Sequence, residues 1–188
     1  MSMKLILALG NPEPRFTHTR HNVGFAMLDA FAQAQGASWQ RKDKFKADIA
    51  ELVLHGEKVF LVEPTTYYNL VGESARAISD FYKITPADVL IIHDDLALPF
   101  GTVRTRIGGS DAGNNGIKSV NAHLGPATAR IRIGTWSDLR DKIDDVDFVL
   151  ATFNSEERAA LEKLAPTIGA LIESFVAGAF ETTTHRAA

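Results

Sequence analysis

Apolar and polar positions alternate along the chain with two different periods. Lys4–Leu9 (KLILAL) is a short apolar run closed by Gly10-Asn11-Pro12, the pattern of a buried strand entering a loop. A polar stretch over 10–22 follows, and from Val23 to Gln35 Phe25, Leu28, Phe31 and Ala32 recur at helical spacing, with Gly36 as the stop. Ala47–Leu54 and Lys58–Val62, joined by His55-Gly56-Glu57, read as a hairpin. Asn69–Lys83 carries Leu70, Ala77, Ile78 and Phe81 on one stripe and predicts a second helix. Val89–His93 is another buried strand, ending in Asp94-Asp95. Thr102–Ile107 alternates, a glycine-rich loop (GGSDAGNNG, 108–116) follows, and Ile117, Val120 and Leu124 mark a short helix. Ala129–Gly134 alternates again, with Arg130 and Arg132 facing one way. Phe148–Phe153 reads as a last strand. Ser155-Glu156-Glu157 opens a helix with Leu161, Leu164, Ile168, Leu171, Ile172 and Phe175 as its apolar positions, which Pro166 is expected to split.

Strands alternating with helices, plus a hairpin, predict an α/β fold: a single domain over 1–188 with a mixed twisted sheet flanked by helices, and 154–188 as a C-terminal helical segment. The 188 residues suit one core, and 45% hydrophobic with 23% charged residues is an ordinary globular balance. With no cysteine there is no disulfide framework, thiolate zinc site or cysteine nucleophile. The opening apolar run is too short for a secretion signal, and the chain has no apolar stretch long enough for a membrane span, so a soluble cytoplasmic protein is expected. The net charge of −3 hides an asymmetry. Residues 1–142 hold 17 Lys and Arg against 15 Asp and Glu, whereas residues 143–188 hold 3 against 8. A mildly basic body is compatible with a local anion site.

Four polar segments fall where an apolar strand or helix meets a loop: Gly10-Asn11-Pro12, Thr19-Arg20-His21-Asn22, Thr65-Thr66-Tyr67-Tyr68-Asn69 and His93-Asp94-Asp95. Ligands of α/β sheets gather outside the strand ends, where such loops converge. His21 is a candidate general base and Asp94 a candidate partner, because a carboxylate on one imidazole nitrogen raises the basicity of the other. Taken singly, each is better explained as a capping or turn residue. No serine or cysteine occupies an elbow motif, so a His–Asp pair would activate water. Asn11, Asn69 and Asn115 are neutral amides able to orient water or steady a carbonyl, and asparagine beside glycine or proline is also ordinary turn chemistry. The loop 108–116 lacks both the P-loop lysine and a dinucleotide fingerprint. Its amides could still cradle a phosphate, with Arg104, Arg106, Lys118, Arg130 and Arg132 nearby in sequence. The six histidines show no metal-ligand spacing, and no metal is expected.

Taken together these segments resemble the bacterial-type peptidyl-tRNA hydrolase family. The likeness runs from Lys4 to about Phe153 through LILALGNP, TRHNVGF, P-T-T-Y-Y-N, I-I-H-D-D-L-A-L-P-F-G, G-G-S-D-A-G-N-N-G-I-K-S and R-I-R-I-G; beyond it, only a helical, amphipathic tail is shared. The resemblance implies hydrolysis of the ester joining a peptide to the 3′-terminal ribose of tRNA, by a monomeric cytosolic enzyme without metal or organic cofactor. It makes His21 the catalytic histidine, Asp94 its partner, and Asn11, Asn69 and Asn115 the active-site asparagines, with Phe16 and Tyr67 beside the substrate. Arg106 and Arg132 match the basic pair that grips the tRNA 5′-phosphate. The chain departs from the family's usual residues at Glu13 (glycine), Phe16 (tyrosine), Tyr68 (methionine), Val71 (serine), Asp111 (histidine or a small residue) and Asn114 (histidine). A non-catalytic RNA-binding module would bind tRNA without turnover. A hydrolase of small N-acyl amino acid esters would be indifferent to the tRNA body.

Overall fold

The computed structural model describes residues 2–186. Its centre is β1 (Met3–Ala8), which pairs in parallel with β4 (Glu57–Pro64) on one side and β5 (Val89–Pro99) on the other. β5 pairs in parallel with β7 (Ala129–Trp136). The hairpin of β3 (Ala47–Leu54) and β4 is extended by β2 (Trp39–Lys42), and on the far side β6 (Thr102–Ile107) and β8 (Thr184–Arg186) add antiparallel strands. The result is one mixed sheet of eight strands in the order β2-β3-β4-β1-β5-β7-β6-β8.

The unbroken apolar run of β1 follows from its central place, because a parallel strand in the middle of such a sheet is covered on both faces. Ile6 and Ala8 point into one core with α1 (Val23–Ala34) and α5 (Ser155–Val176). Leu5, Leu7 and Leu9 point into the other with α2 (Val71–Tyr82) and α3 (Asn115–Leu124). Because β1, β4 and β5 run the same way, the carboxyl ends of β1 and β4 lie on one edge, from which the loops carrying Asn11 and Tyr67–Asn69 leave, and Asp94 lies just past the same level within the longer β5. α1 closes tightly against that edge. A Cβ on Gly24 would lie 2.5 Å from the Ile92 carbonyl oxygen, so glycine is what lets the helix start beside the ends of β1 and β5.

Three expectations need correction. Phe148–Phe153 is not a strand: Asp145–Leu150 forms α4, with the Asp144 side chain accepting from the Asp147 amide. Phe148 is fully buried on that helix, and Thr152 makes only an isolated bridge to Thr19. The apolar run was too short for its period to be read. Pro166 does not split the last helix, which runs unbroken through Ser155–Val176. Pro166 and Glu162 both face solvent, so the carbonyl that the missing N–H leaves unpaired meets water. The second helix begins at Val71, after a short turn at Tyr68–Leu70 rather than at Asn69. Two strands also lacked a sequence signal. β2 and β8 are short edge strands with mostly polar side chains, Trp39 excepted, which blunt the rims of the sheet but carry no apolar alternation. α5 packs its apolar stripe into the core, so residues 155–176 are a packed helix. Ala187 and Ala188, at the end of the expected C-terminal segment, lie outside the described residues.

Candidate active site

His21 and Asp94, distant in sequence, meet at the carboxyl edge of the sheet. The His21 Nδ1–H donates to Asp94 Oδ2 at 2.8 Å, with the Asp94 side chain buried and that of His21 17% exposed. Donating from Nδ1 leaves the other imidazole nitrogen, Nε2, with its lone pair available as a base. The second carboxylate oxygen is also engaged: the Tyr68 hydroxyl donates to Asp94 Oδ1 at 2.6 Å. The Tyr68 ring stacks on the His21 imidazole, with centroids 3.5 Å apart and planes 10° from parallel. A Cβ on Gly116 would meet the Tyr68 ring at 2.6 Å, so the tyrosine fills the space that this glycine leaves. Burial, and then the Asp94 carboxylate, push the Tyr68 phenol well above its ordinary value, and it stays protonated.

Asn11 is held from three directions. Its amide N–H donates to Asn22 Oδ1 at 2.9 Å and its carbonyl accepts from Asn22 Nδ2 at 2.8 Å. Its side-chain oxygen accepts from the Tyr68 amide at 2.9 Å. With the oxygen occupied, the Asn11 NH₂ is the end left to act on a ligand. Asn11 and Asn22 line a cleft of about 360 Å³ with Glu13, His18, Asp29 and Glu63. In that cleft, burial and the neighbouring Asp29 carboxyl push Glu63 up to about 11, so it is neutral at physiological pH.

On the other side of Asp94 a cavity of about 240 Å³ is lined by Asp95, Arg106, Asp111, Asn114, Arg130 and Arg132. The expected phosphate pair, Arg106 and Arg132, therefore shares one cavity. Arg132 already carries a partner, Asp95, at 2.8 Å. Arg130 is different in kind: it is buried and donates to the Ser110 carbonyl and to Asn121 Oδ1, each at 2.8 Å, tying the glycine-rich loop to α3. Burial, then Arg106 and Arg132, lower its pKa. His93 lies beneath, donating from Nδ1 to the Asp94 carbonyl at 2.8 Å, and burial lowers it so that it adds no charge beside Asp94.

The remaining expected residues lie around this centre with fewer constraints. Asn69 and Asn115 are exposed, in the turn before α2 and at the first position of α3. Tyr67 is 59% exposed, and Phe16 is half-buried with the Arg15 guanidinium over its ring at 4.5 Å. Among the described residues no three His, Asp or Glu side chains cluster as metal ligands.

Sequence reasoning missed four contributors: Tyr68, Asn22, Asn114 and Arg20. Asn114 accepts from the Gly116 and Ile117 amides, capping α3, and donates to the Tyr68 oxygen at 2.8 Å. Arg20 anchors the histidine loop. Its guanidinium donates to the Thr152 carbonyl at 2.9 Å and to both oxygens of Glu157, and it lies about 5 Å from the ring centroids of Phe148 and Phe153. Position in the polar segments beside His21, Asn69 and Asn115, and for Tyr68 and Asn114 the departure from the resembled pattern, marked these residues without giving them a role.

A sequence model of the family described as peptidyl-tRNA hydrolase matches residues 5–188. The chain belongs to the peptidyl-tRNA hydrolase family. The peptidyl-tRNA hydrolase of Ligilactobacillus salivarius is 39% identical over 186 residues, covering 98% of this chain and 99% of that protein. That of Wolinella succinogenes is 44% identical over 180 residues, covering 95% of this chain and 90% of its own length. The crystal structure of peptidyl-tRNA hydrolase from Acinetobacter baumannii superposes with a TM-score of 0.86 at 32% identity, over 94% of this chain and 89% of that one. The family match thus reaches the C-terminal helix, where the sequence motifs alone had stopped at about Phe153. Like the fold, membership in this ester-hydrolase family agrees with the expectation drawn from the motifs.

Proposed function

We propose that this peptidyl-tRNA hydrolase family member cleaves the ester between a peptide, or an N-blocked amino acid, and the 3′-terminal ribose of tRNA. The observation that carries the mechanism is the buried Asp94 carboxylate on His21 Nδ1, which leaves Nε2 free to take a proton. Water attacks the ester carbonyl carbon as His21 Nε2 accepts its proton. The carbonyl oxygen takes the negative charge, and the Asn11 NH₂, whose own oxygen is committed to Tyr68, donates to it. Collapse of the tetrahedral intermediate expels the ribose 3′-oxygen, which takes the proton back from the imidazolium. The carboxylic acid and free tRNA leave, and His21 is neutral again. Asn69 and Asn115 hold the peptide backbone or the terminal nucleotide, and Phe16 and Tyr67 flank the substrate.

Arg106 and Arg132 bind the tRNA 5′-phosphate, reading charge and position rather than sequence. The chain works as one domain, as a monomer in the cytoplasm, with neither metal nor organic cofactor. No helix among the described residues is long and apolar enough to cross a membrane.

The test is release of an N-blocked amino acid from its tRNA by wild type and by His21→Ala. General-base catalysis contributes about 10²–10⁴-fold, so the variant should retain about one per cent of the rate or less. Wild-type turnover by His21→Ala would remove His21 from the chemistry. Binding of tRNA without any turnover would make the chain a binding module.

A further inference from the structure

The Tyr68 hydroxyl has only one arrangement open to it. Asn114 Oδ1 is committed to two backbone amides at the start of α3, those of Gly116 at 2.9 Å and Ile117 at 3.0 Å. The Asn114 amide is thereby fixed with its NH₂ toward Tyr68, donating to the phenolic oxygen at 2.8 Å. An oxygen that accepts from Asn114 must send its own proton elsewhere, and Asp94 Oδ1, at 2.6 Å, is the acceptor. Every proton in the chain Asn114–Tyr68–Asp94–His21 therefore points toward the carboxylate, one from the phenol and one from the imidazole. Hydrogen bonds arranged head to tail in this way strengthen one another. The tyrosine ring, stacked on His21, also fixes the plane of the imidazole.

We infer that Tyr68 is a positioning residue of this active site, holding Asp94 through its hydroxyl and the His21 ring by stacking, with Asn114 setting the direction of the hydroxyl bond. The inference rests on the hydrolytic role of His21 proposed above and goes beyond it. A carboxylate that accepts a second proton donor shares its charge between two partners and holds the imidazolium less strongly. Removing the hydroxyl leaves His21 as the main partner of a buried charge. The other titratable groups packed around the pair are Asp95, held by Arg132, His93, neutral through burial, and Arg20, held by Glu157. None of these changes with the substitution.

The experiment compares wild type, His21→Ala, Tyr68→Phe, Tyr68→Met and Asn114→Ser in release of an N-blocked amino acid from tRNA, over a range of pH. Tyr68→Phe keeps the stack and loses the hydroxyl. Its kcat should fall about tenfold with KM unchanged, and the acid limb of its rate profile should move up by about 0.5–1 pH unit. Tyr68→Met should show the same displacement of the acid limb, because the displacement follows the hydroxyl and not the ring. Asn114→Ser keeps an oxygen for the helix cap and removes the amide donor. It should lower kcat in the same direction, and it should add nothing when combined with Tyr68→Phe. In the unsubstituted protein, the buried phenolic proton should exchange slowly and show through-space NMR contacts to the His21 ring. That measurement stands even if a variant does not fold. A wild type without hydrolytic activity refutes the functional reading. An active wild type and inactive His21→Ala, beside a Tyr68→Phe with unaltered kcat and pH profile, refute the role of Tyr68 alone, as does a rapidly exchanging phenolic proton.

Discussion

Arg20→Met tests how His21, the proposed general base, is held in place. The Arg20 side chain is 3% exposed and its guanidinium donates to Glu157 at 2.9 and 3.1 Å and to the Thr152 carbonyl at 2.9 Å. The backbone follows the same route, with the Arg20 amide donating to the Ala151 carbonyl at 3.0 Å. Glu157 serves twice, because it is also the third residue of a capping box with Asn154 at the start of α5. Breaking a buried ion pair by removing one partner costs about 3–5 kcal/mol. Methionine refills the space between Phe148 and Phe153, and Glu157, 14% exposed, keeps its cap and gains some water. The lower end, about 3 kcal/mol, is therefore expected, which for a chain of this size lowers Tm by about 6–12 °C. Glu157→Gln should cost less, about 1–2 kcal/mol, because the amide preserves one acceptor for Arg20 and the capping geometry. Since His21 is the next residue, turnover per folded molecule should fall about tenfold in Arg20→Met, as small misplacements of a catalytic group do. The assay is urea unfolding beside single-turnover hydrolysis. Arg20→Met within about 1 kcal/mol of wild type, with wild-type turnover, would show that the anchor holds nothing.

Two further outcomes follow from the charges in the two cavities. Arg106→Ala and Arg132→Ala should raise KM more than they lower kcat, whereas Asp111→Asn, which keeps the acceptor for the Gly113 amide, should lower KM and steepen its dependence on salt by up to about one log–log unit. KM values that ignore both salt and these substitutions would dismiss the phosphate site. Glu63 remains protonated in the folded chain up to about 11, while an unfolded chain releases this proton above about 4.5, so its burial lowers stability as pH rises between those values. Glu63→Gln should therefore stabilise by up to about 3 kcal/mol at pH 7 and by little at pH 4. Equal gains in urea unfolding at both pH values would exclude this cause.

Which parts of this site were legible before the structure follows from what each depends on. The strands β1, β4 and β5 could be read because central parallel strands are apolar throughout, as in Leu5–Leu9 and Val89–Ile92. Asp94, His21 and Asn11 could be nominated because each sits where such an element ends, and together their motifs carry the family resemblance. Tyr68 could not. Its importance lies in the direction of a hydroxyl, set by an amide 46 positions later, whose own orientation is set by two backbone N–H groups of α3. A string of residues carries no such orientation. Arg20 was invisible for a related reason, since its partner Glu157 lies 137 positions away and reads locally as the start of a helix. The strand expected at Phe148–Phe153 failed where a short apolar run has no period of its own, and the capping Asp144 decided for a helix.

The same distinction explains how a chain with net charge −3 can serve an RNA substrate. Total charge governs attraction at distances beyond about 8–10 Å, where salt screens it, and here it favours no approach. Within the cavity beside Asp94, four arginines face four carboxylates, those of Asp94, Asp95, Asp111 and Asp145, so a bound phosphate meets positive charge that is already largely neutralised. An anion entering there displaces or shares an internal counterion, and fewer salt ions are released than the number of arginines suggests. Affinity from that source is modest and its salt dependence shallow. Under the proposed function discrimination then comes from geometry, with the 5′-phosphate at Arg106 and Arg132 and the ester at His21 engaged together. On the proposed assignment a free phosphate satisfies only the first of these conditions and a small ester only the second, so a preference for a full tRNA body is the expected outcome of two weak sites held at a fixed separation by β5, β7 and β6.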